Sequence, residues 1–365
     1  MHKKNILIVT SEFPPQPGGI GNHAYYLALY LSKHNYDVRV IADQRAVLNM
    51  EELAFDATLP FTVQRIAIQM PRFLMYFNRI VKTFLGFKAA DYVIATGKFS
   101  LWNVAFCSLF YSRDTLAVIH GSEVNFKSAI IRKAVDLSLK QFHCIVAVSH
   151  YTKELVVHLN RDITVIPNGI DLERWSLDST KQVPLSGSPI LTTVGRVSTR
   201  KGQLQVITLL PEILKHYPNA HYHCVGIPTE APAFLKHAHN LDVEKHVTFH
   251  GALPHADLQA VLSATDIFVM LSTESATGDV EGFGIAILEA NALGIPAIGS
   301  ENCGIADAIQ HGVSGFLVDS QDASVFCDCM STLLNRDELF KQQARVWAEQ
   351  HDWNQIITRY IALIS

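Results

Sequence analysis

Short apolar runs alternate along this chain with stretches of helical periodicity. The runs fall at 6–9, 38–42, 92–95, 116–119, 144–148 and 164–166, then at 190–194, 221–225, 247–249, 267–270, 296–299 and 315–318. Runs this short, without polar alternation, suit strands buried on both faces of a parallel sheet. Helical patterns such as 23–33 and 203–217 separate them, so each half reads as a doubly wound α/β domain. Between the halves, 171–188 is polar and carries Pro184, Gly187 and serines, which marks a linker. The segment 347–363 reads as a closing helix with aromatics at Trp347, Trp353 and Tyr360. Ligands of such sheets bind outside the carboxyl ends of the strands.

Composition supports two full cores: 365 residues, 48% hydrophobic and 18% charged. Lys3 and Lys4 precede an apolar run that Thr10, Ser11 and Glu12 interrupt, well short of a signal-peptide core. No stretch is long and apolar enough to span a bilayer, so the expected location is cytoplasmic, with peripheral attachment to the inner face of the plasma membrane left open. The six cysteines are scattered, mostly in apolar segments, and read as reduced thiols; Cys327 and Cys329 lack the spacing of a zinc pair. The histidines form no ligand cluster. Charge is uneven: residues 1–170 hold 18 Lys/Arg against 12 Asp/Glu, a surplus of +6, whereas 171–365 hold 12 against 22, or −10. No nucleic-acid motif accompanies the basic half, which leaves an anionic membrane surface as the expected partner. The segment 72–88 fits that role. Phe73, Phe77, Ile80, Phe84 and Phe87 share a helical stripe, with Arg72, Arg79 and Lys82 on another side. A core helix with surface cations is the equal alternative.

The chemistry concentrates in Val280-Glu281-Gly282-Phe283-Gly284-Ile285-Ala286-Ile287-Leu288-Glu289-Ala290, where two glutamates stand eight positions apart around a glycine-framed turn that opens a helix. Gly282 and Gly284 admit close approach of a ligand, and the helix start offers N–H groups to a phosphate. Glu281 would then hold sugar hydroxyls on one side of a diphosphate and Glu289 the ribose on the other. An ordinary strand-loop-helix connection explains the same residues. Gly195-Arg196-Val197-Ser198-Thr199-Arg200-Lys201-Gly202 follows directly on a strand and would set Arg196 and Lys201 against a pyrophosphate; alone, it is also a solvated turn. His120 ends a strand and is followed by Gly121, where it is either a ligand contact or a structural histidine.

Together with the loop Pro14-Pro15-Gln16-Pro17-Gly18-Gly19-Ile20-Gly21 and with His120-Gly121-Ser122-Glu123, these segments resemble the retaining GT-B glycosyltransferases that carry an E-x7-E signature. This group is glycosyltransferase family 4-like, "glycosyl transferases group 1", and includes sucrose and trehalose-type synthases, lipopolysaccharide transferases and phosphatidylinositol mannosyltransferases. The resemblance covers nearly the whole chain. It implies two Rossmann-like doubly wound domains facing across a cleft, with residues 1–170 binding the acceptor, 189–346 binding the donor and 347–365 packing back on the first domain. It implies hexose transfer from a nucleoside diphosphate sugar to a glycan or lipid-linked acceptor, with retention, in bacterial polysaccharide or glycolipid synthesis. His120, Arg196, Lys201 and Glu281 would be catalytic. Gly18, Gly19, Gly195, Gly226, Leu253, Gly282, Phe283, Gly284, Ile285 and Glu289 would bind the donor. No metal or other cofactor is expected, in keeping with the lack of a D-x-D motif. The acceptor pocket would lie around residues 43–100. The donor stays open between UDP-sugars and GDP-mannose; Gly278-Asp279-Val280-Glu281-Gly282 resembles the mannosyltransferase approach to the first glutamate.

Rival readings are weaker. Gly19-Ile20-Gly21-Asn22-His23-Ala24 fits a dinucleotide fingerprint with Asp43 as its ribose acid, but a proline-rich octet separates it from the strand. A glycoside hydrolase needs carboxylates astride the scissile bond, whereas Glu281 and Glu289 flank a phosphate-binding turn. A nucleotide-sugar epimerase on the same fold would act on donor alone.

Overall fold

The computed structural model describes residues 3–176, 183–275 and 277–364. They form two compact units, Met1–Gly169 with Trp353–Ser365, and Ile170–Asp352. In the first unit, β1 (Asn5–Thr10), β2 (Asp37–Asp43), β3 (Thr62–Ile66), β4 (Tyr92–Thr96), β5 (Asp114–Ile119), β6 (Cys144–Ala147) and β7 (Thr164–Val165) make one parallel sheet in the order β3-β2-β1-β4-β5-β6-β7. In the second, β8 (Ile190–Val194), β9 (His221–Val225), β10 (Val247–Gly251), β11 (Ile267–Met270), β12 (Ala297–Ser300) and β13 (Gly315–Val318) are parallel in the order β10-β9-β8-β11-β12-β13. Every apolar run of the sequence is one of these strands. Only β3 is unannounced: its Thr62-Val63-Gln64-Arg65-Ile66 lies at a sheet edge and buries Ile66 alone completely, so it lacks the continuous apolar run.

Strand side chains and helix faces fill each core, with Leu7, Val9, Phe87 and Ile119 in the first unit and Leu191, Val206, Leu210 and Tyr222 in the second. Both sheets reverse direction of growth once, between β1 and β4 and between β8 and β11. Loops leaving the carboxyl ends of those neighbours diverge to opposite faces and open a crevice.

Three expectations change. The linker 171–188 lies partly outside the described residues, and its flanks belong to the second unit: Ile170 N–H donates to His351 O at 2.8 Å, Trp175 packs edge-on to His255, and Ser188 N–H donates to Asn219 O at 2.8 Å. The closing helix is two, Asp337–Glu349 in the second unit and Trp353–Ile364 in the first, divided where Ile170 bridges Asp352. Helix Arg72–Ala89 also divides its stripe. Phe87 is fully buried, while Phe73 and Phe77 are each 64% exposed. Arg79 is no surface cation, because it is buried and forms a two-point pair with Asp43, its guanidinium beside the stacked rings of Tyr76 and Phe99. That pair also occupies the carboxylate which the dinucleotide reading needs for a ribose.

Candidate active site

Both loops of the second unit's reversal point carry charge. After β8 the chain passes Gly195 and reaches a single 3-10 turn, Thr199–Lys201. The Lys201 stem lies across Gly195: a Cβ there would come within 3.2 Å of Lys201 Cε. Gly202 follows at φ +84°, with its Cα face against the main chain of Leu271, where any side chain would collide. Thr273 N–H donates to Arg200 O at 3.1 Å, tying this turn to the segment that leaves β11. That segment returns at Val280-Glu281, held by Gly304 N–H donating to Glu281 O at 2.9 Å.

The consequence is a three-charge cluster. Lys201 Nζ lies 2.6 Å and Arg200 Nη1 2.7 Å from the same oxygen, Glu281 Oε2. Burial by itself raises the Glu281 pKa, but Lys201 and then Arg200 outweigh it and bring it down to about 2. Glu281 is therefore a fixed anion and hydrogen-bond acceptor.

Helix Ile285–Ala292 begins immediately beyond, with Gly284 at φ +91° as its N-cap and no side chain capping it. Glycine supplies no capping side chain to the first N–H groups, of which that of Ile287 turns back to Gly284 O at 2.9 Å. Glu289 stands on the second turn, half-buried. Burial lifts its pKa to about 7, against the pull of Arg174 and Lys201. The charge of one lysine thus acts on two carboxylates whose environments push their ionisation apart. Cys303, a buried thiol, completes the neighbourhood; burial raises its pKa, and Glu281 adds to the effect.

The remaining expected residues separate into groups. Arg196 is exposed, with its carbonyl held by Gln203 Nε2 at 3.2 Å, and its guanidinium stands apart from Glu281; Arg200 takes the place beside Lys201. Nothing in the spacing distinguishes the two arginines, since only the 3-10 turn decides which one folds back. Gly226, at φ +143°, is a packing wedge against Gly195 O. Gly282 underlies Gly304 closely enough to exclude a side chain there. Phe283 is buried, with its ring beside that of His351. Ile285 is the first residue of the helix, and Leu253 lies half-buried in the turn before helix His255–Ser263.

His120, Gly18 and Gly19 belong to the first unit. His120 follows β5, and its Nε2 pairs with Thr96 Oγ1 at 2.8 Å while its ring meets His23 edge-on. Burial drops its pKa to about 3, so the imidazole is neutral and acts as a hydrogen-bonding group rather than a cation. The His120 main-chain N–H donates to Glu123, a fully buried carboxyl that burial pushes up to about 7. Gly18 caps helix Gly19–Lys33. A methyl group on Gly19 would meet nothing within 4 Å, so packing does not require glycine there.

Comparison with known proteins agrees over the whole length. Residues 177–350 match the family Glycosyl transferases group 1, and residues 17–174 match Glycosyltransferase Family 4. The chain is 27% identical to the GDP-mannose-dependent alpha-(1-6)-phosphatidylinositol monomannoside mannosyltransferase of Mycobacterium tuberculosis, covering 97% of this chain and 96% of that one. It is 24% identical to the glycogen synthase of the same organism, over 97% and 92%. Among solved structures, HepE of Anabaena in complex with UDP and glucose superposes with a TM-score of 0.79 at 18% identity, over 99% of both chains. A glycosyltransferase from Rickettsia africae gives 0.80 at 19%, over 100% and 98%. These superpositions establish the GT-B fold class. The chain belongs to the group 1 glycosyltransferases.

Proposed function

We propose that the second unit binds a nucleoside diphosphate hexose at the crevice between β8 and β11, and that the enzyme transfers the hexose with retention to a lipid-linked acceptor. The observation that carries this reading is the Lys201–Glu281–Arg200 cluster beside the uncapped start of helix Ile285–Ala292. Helix N–H groups, Lys201 and the exposed Arg196 offer the charge that a leaving diphosphate requires, without calling on a metal ion. Glu281 is ionised and accepts hydrogen bonds from sugar hydroxyls. Glu289, on the far side of the turn, accepts from the ribose. No protein carboxylate is needed as nucleophile, because a donor phosphate oxygen takes the acceptor's proton while the site supplies alignment.

We assign GDP-mannose as donor. The motivation is the Gly278-Asp279-Val280-Glu281 approach and a relative named for GDP-mannose and phosphatidylinositol mannoside. UDP-sugars are the alternative, favoured by the likeness to a structure holding UDP and glucose. A lipid-linked acceptor suits the apolar face of helix Arg72–Ala89, where Phe73, Leu74 and Phe77 are exposed beside Arg72 and Met70, giving a surface for an anionic bilayer. Among the described residues no helix is long and apolar enough to cross a membrane. Thermal shift with GDP, UDP and their hexose conjugates tests the donor, since a ligand at a hundred times its Kd adds about 2.7 kcal/mol. Stabilisation by GDP and GDP-mannose is expected; stabilisation by UDP alone overturns the assignment.

A further inference from the structure

We infer that Arg200 is a positioning residue that holds the Glu281 carboxylate aimed, so that Lys201 is free to divide its donors between Glu281 and the donor's diphosphate. This rests on the donor site proposed above. Both cations close on Oε2, and no hydrogen bond to Oε1 occurs among the described residues. A carboxylate held through one oxygen keeps the other for a sugar hydroxyl.

The two cations differ in how they are held. The Arg200 main chain is fixed by Thr273 N–H, and its Nη1 also donates to Val280 O at 3.4 Å, so the guanidinium grips both the side chain and the backbone of the Glu281 segment. A guanidinium stays charged and presents a rigid fork. Lys201 is instead a point charge on a flexible stem lying over Gly195, and its charge acts on Glu289 as well as on Glu281. It has three ammonium donors and spends one on Oε2. Were Lys201 the sole partner of Glu281, its engagement with phosphate would weaken the one contact that keeps the half-buried carboxylate ionised. Arg200 removes that conflict. The charged or titratable groups facing Glu281 are Arg200, Lys201 and Cys303.

The test compares Arg200→Met, Arg200→Lys and Lys201→Ala by titration calorimetry with bare GDP and UDP, and by steady-state hexose transfer across pH. Arg200→Met should bind the preferred bare nucleotide within about twofold of wild type, yet lose about tenfold to a hundredfold in transfer, the range for one hydrogen bond to a charged group. Its acidic limb should move to higher pH, because Glu281 loses a counter-charge, and Arg200→Lys should restore part of both. Lys201→Ala should lose nucleotide binding. If Arg200→Met loses nucleotide as severely as Lys201→Ala, Arg200 is a phosphate ligand and the inference fails. Unchanged transfer and pH profile in a folded Arg200→Met also sink it. If Lys201→Ala binds nucleotide like wild type, the donor-site reading itself falls, and this inference with it.

Discussion

Replacing Glu289 with glutamine should stabilise the protein while harming it as an enzyme, and the gain should depend on pH. The Glu289 pKa rises from 4.5 to about 7 because burial disfavours its charge. A carboxyl whose pKa is raised on folding binds its proton more tightly in the folded state. Its contribution to stability therefore grows as pH falls from about 7 towards 4.5, and above 7 the folded protein carries the whole ionisation penalty. At 1.36 kcal/mol per pK unit, the penalty is about 3 kcal/mol near pH 8 and about 1.4 kcal/mol near pH 5.5. Glutamine removes the ionisation but keeps the shape, so its advantage should be larger near pH 8 by at most about 2 kcal/mol. For a unit of this size that is a difference of about 4–8 °C in midpoint. The double difference, variant minus wild type at two pH values, cancels other titrations such as that of His120, whose lowered pKa removes stability as pH falls from 6.5 towards 3. Scanning calorimetry or dye-monitored melting supplies the four midpoints. A variant equally or less stabilised at the higher pH would refute the reasoning, because Glu289 would then ionise freely. In parallel, Glu289→Gln should weaken bare nucleotide and intact donor alike, whereas Glu281→Gln should spare the bare nucleotide.

Gly202→Ala should destabilise the second unit by about 2 kcal/mol or more in denaturant unfolding, since a left-handed φ and contact with the Leu271 main chain both oppose a Cβ. Asp43→Asn or Arg79→Met should cost about 3–5 kcal/mol by leaving one member of a buried pair uncompensated, and the double variant Asp43→Asn/Arg79→Met should recover part of that loss. Flotation with liposomes of rising anionic content should recover wild type but not Phe73→Ser/Phe77→Ser with Arg72→Glu; equal flotation of the two folded proteins would remove helix Arg72–Ala89 from membrane binding.

Much of this was legible in the residues because parallel strands buried on both faces leave unbroken apolar runs, and because glycines mark the loops that charges must cross. Glu281 and Lys201 stand together as the two strand-end loops required. What was not legible depends on a rotation of one residue or on distant pairing. Arg200 rather than Arg196 reaches Glu281 because a 3-10 turn folds its side chain back. Arg79 is invisible as a buried cation until Asp43, thirty-six positions away, closes on it. Strand β3 carries polar side chains because it lies at a sheet edge, where Arg65 finds a partner in Asp56 and only Ile66 is fully buried. The break between Glu349 and Trp353 falls where distant Ile170 bridges Asp352.

The central claim is that Lys201 and its partners hold the diphosphate of a hexose donor during transfer to a lipid acceptor. Its most direct test is to quantify nucleotide and glycosylated lipid together by mass spectrometry, from GDP-mannose or UDP-hexoses with phosphatidylinositol mannosides, in EDTA. Wild type should release GDP and form product in equal amounts, dependent on acceptor, and Lys201→Ala should be slower by about 10²–10³, the range for removing one preorganised charge-stabilising donor. Transfer by Lys201→Ala at the wild-type rate, or release of nucleotide with no acceptor present, would contradict it.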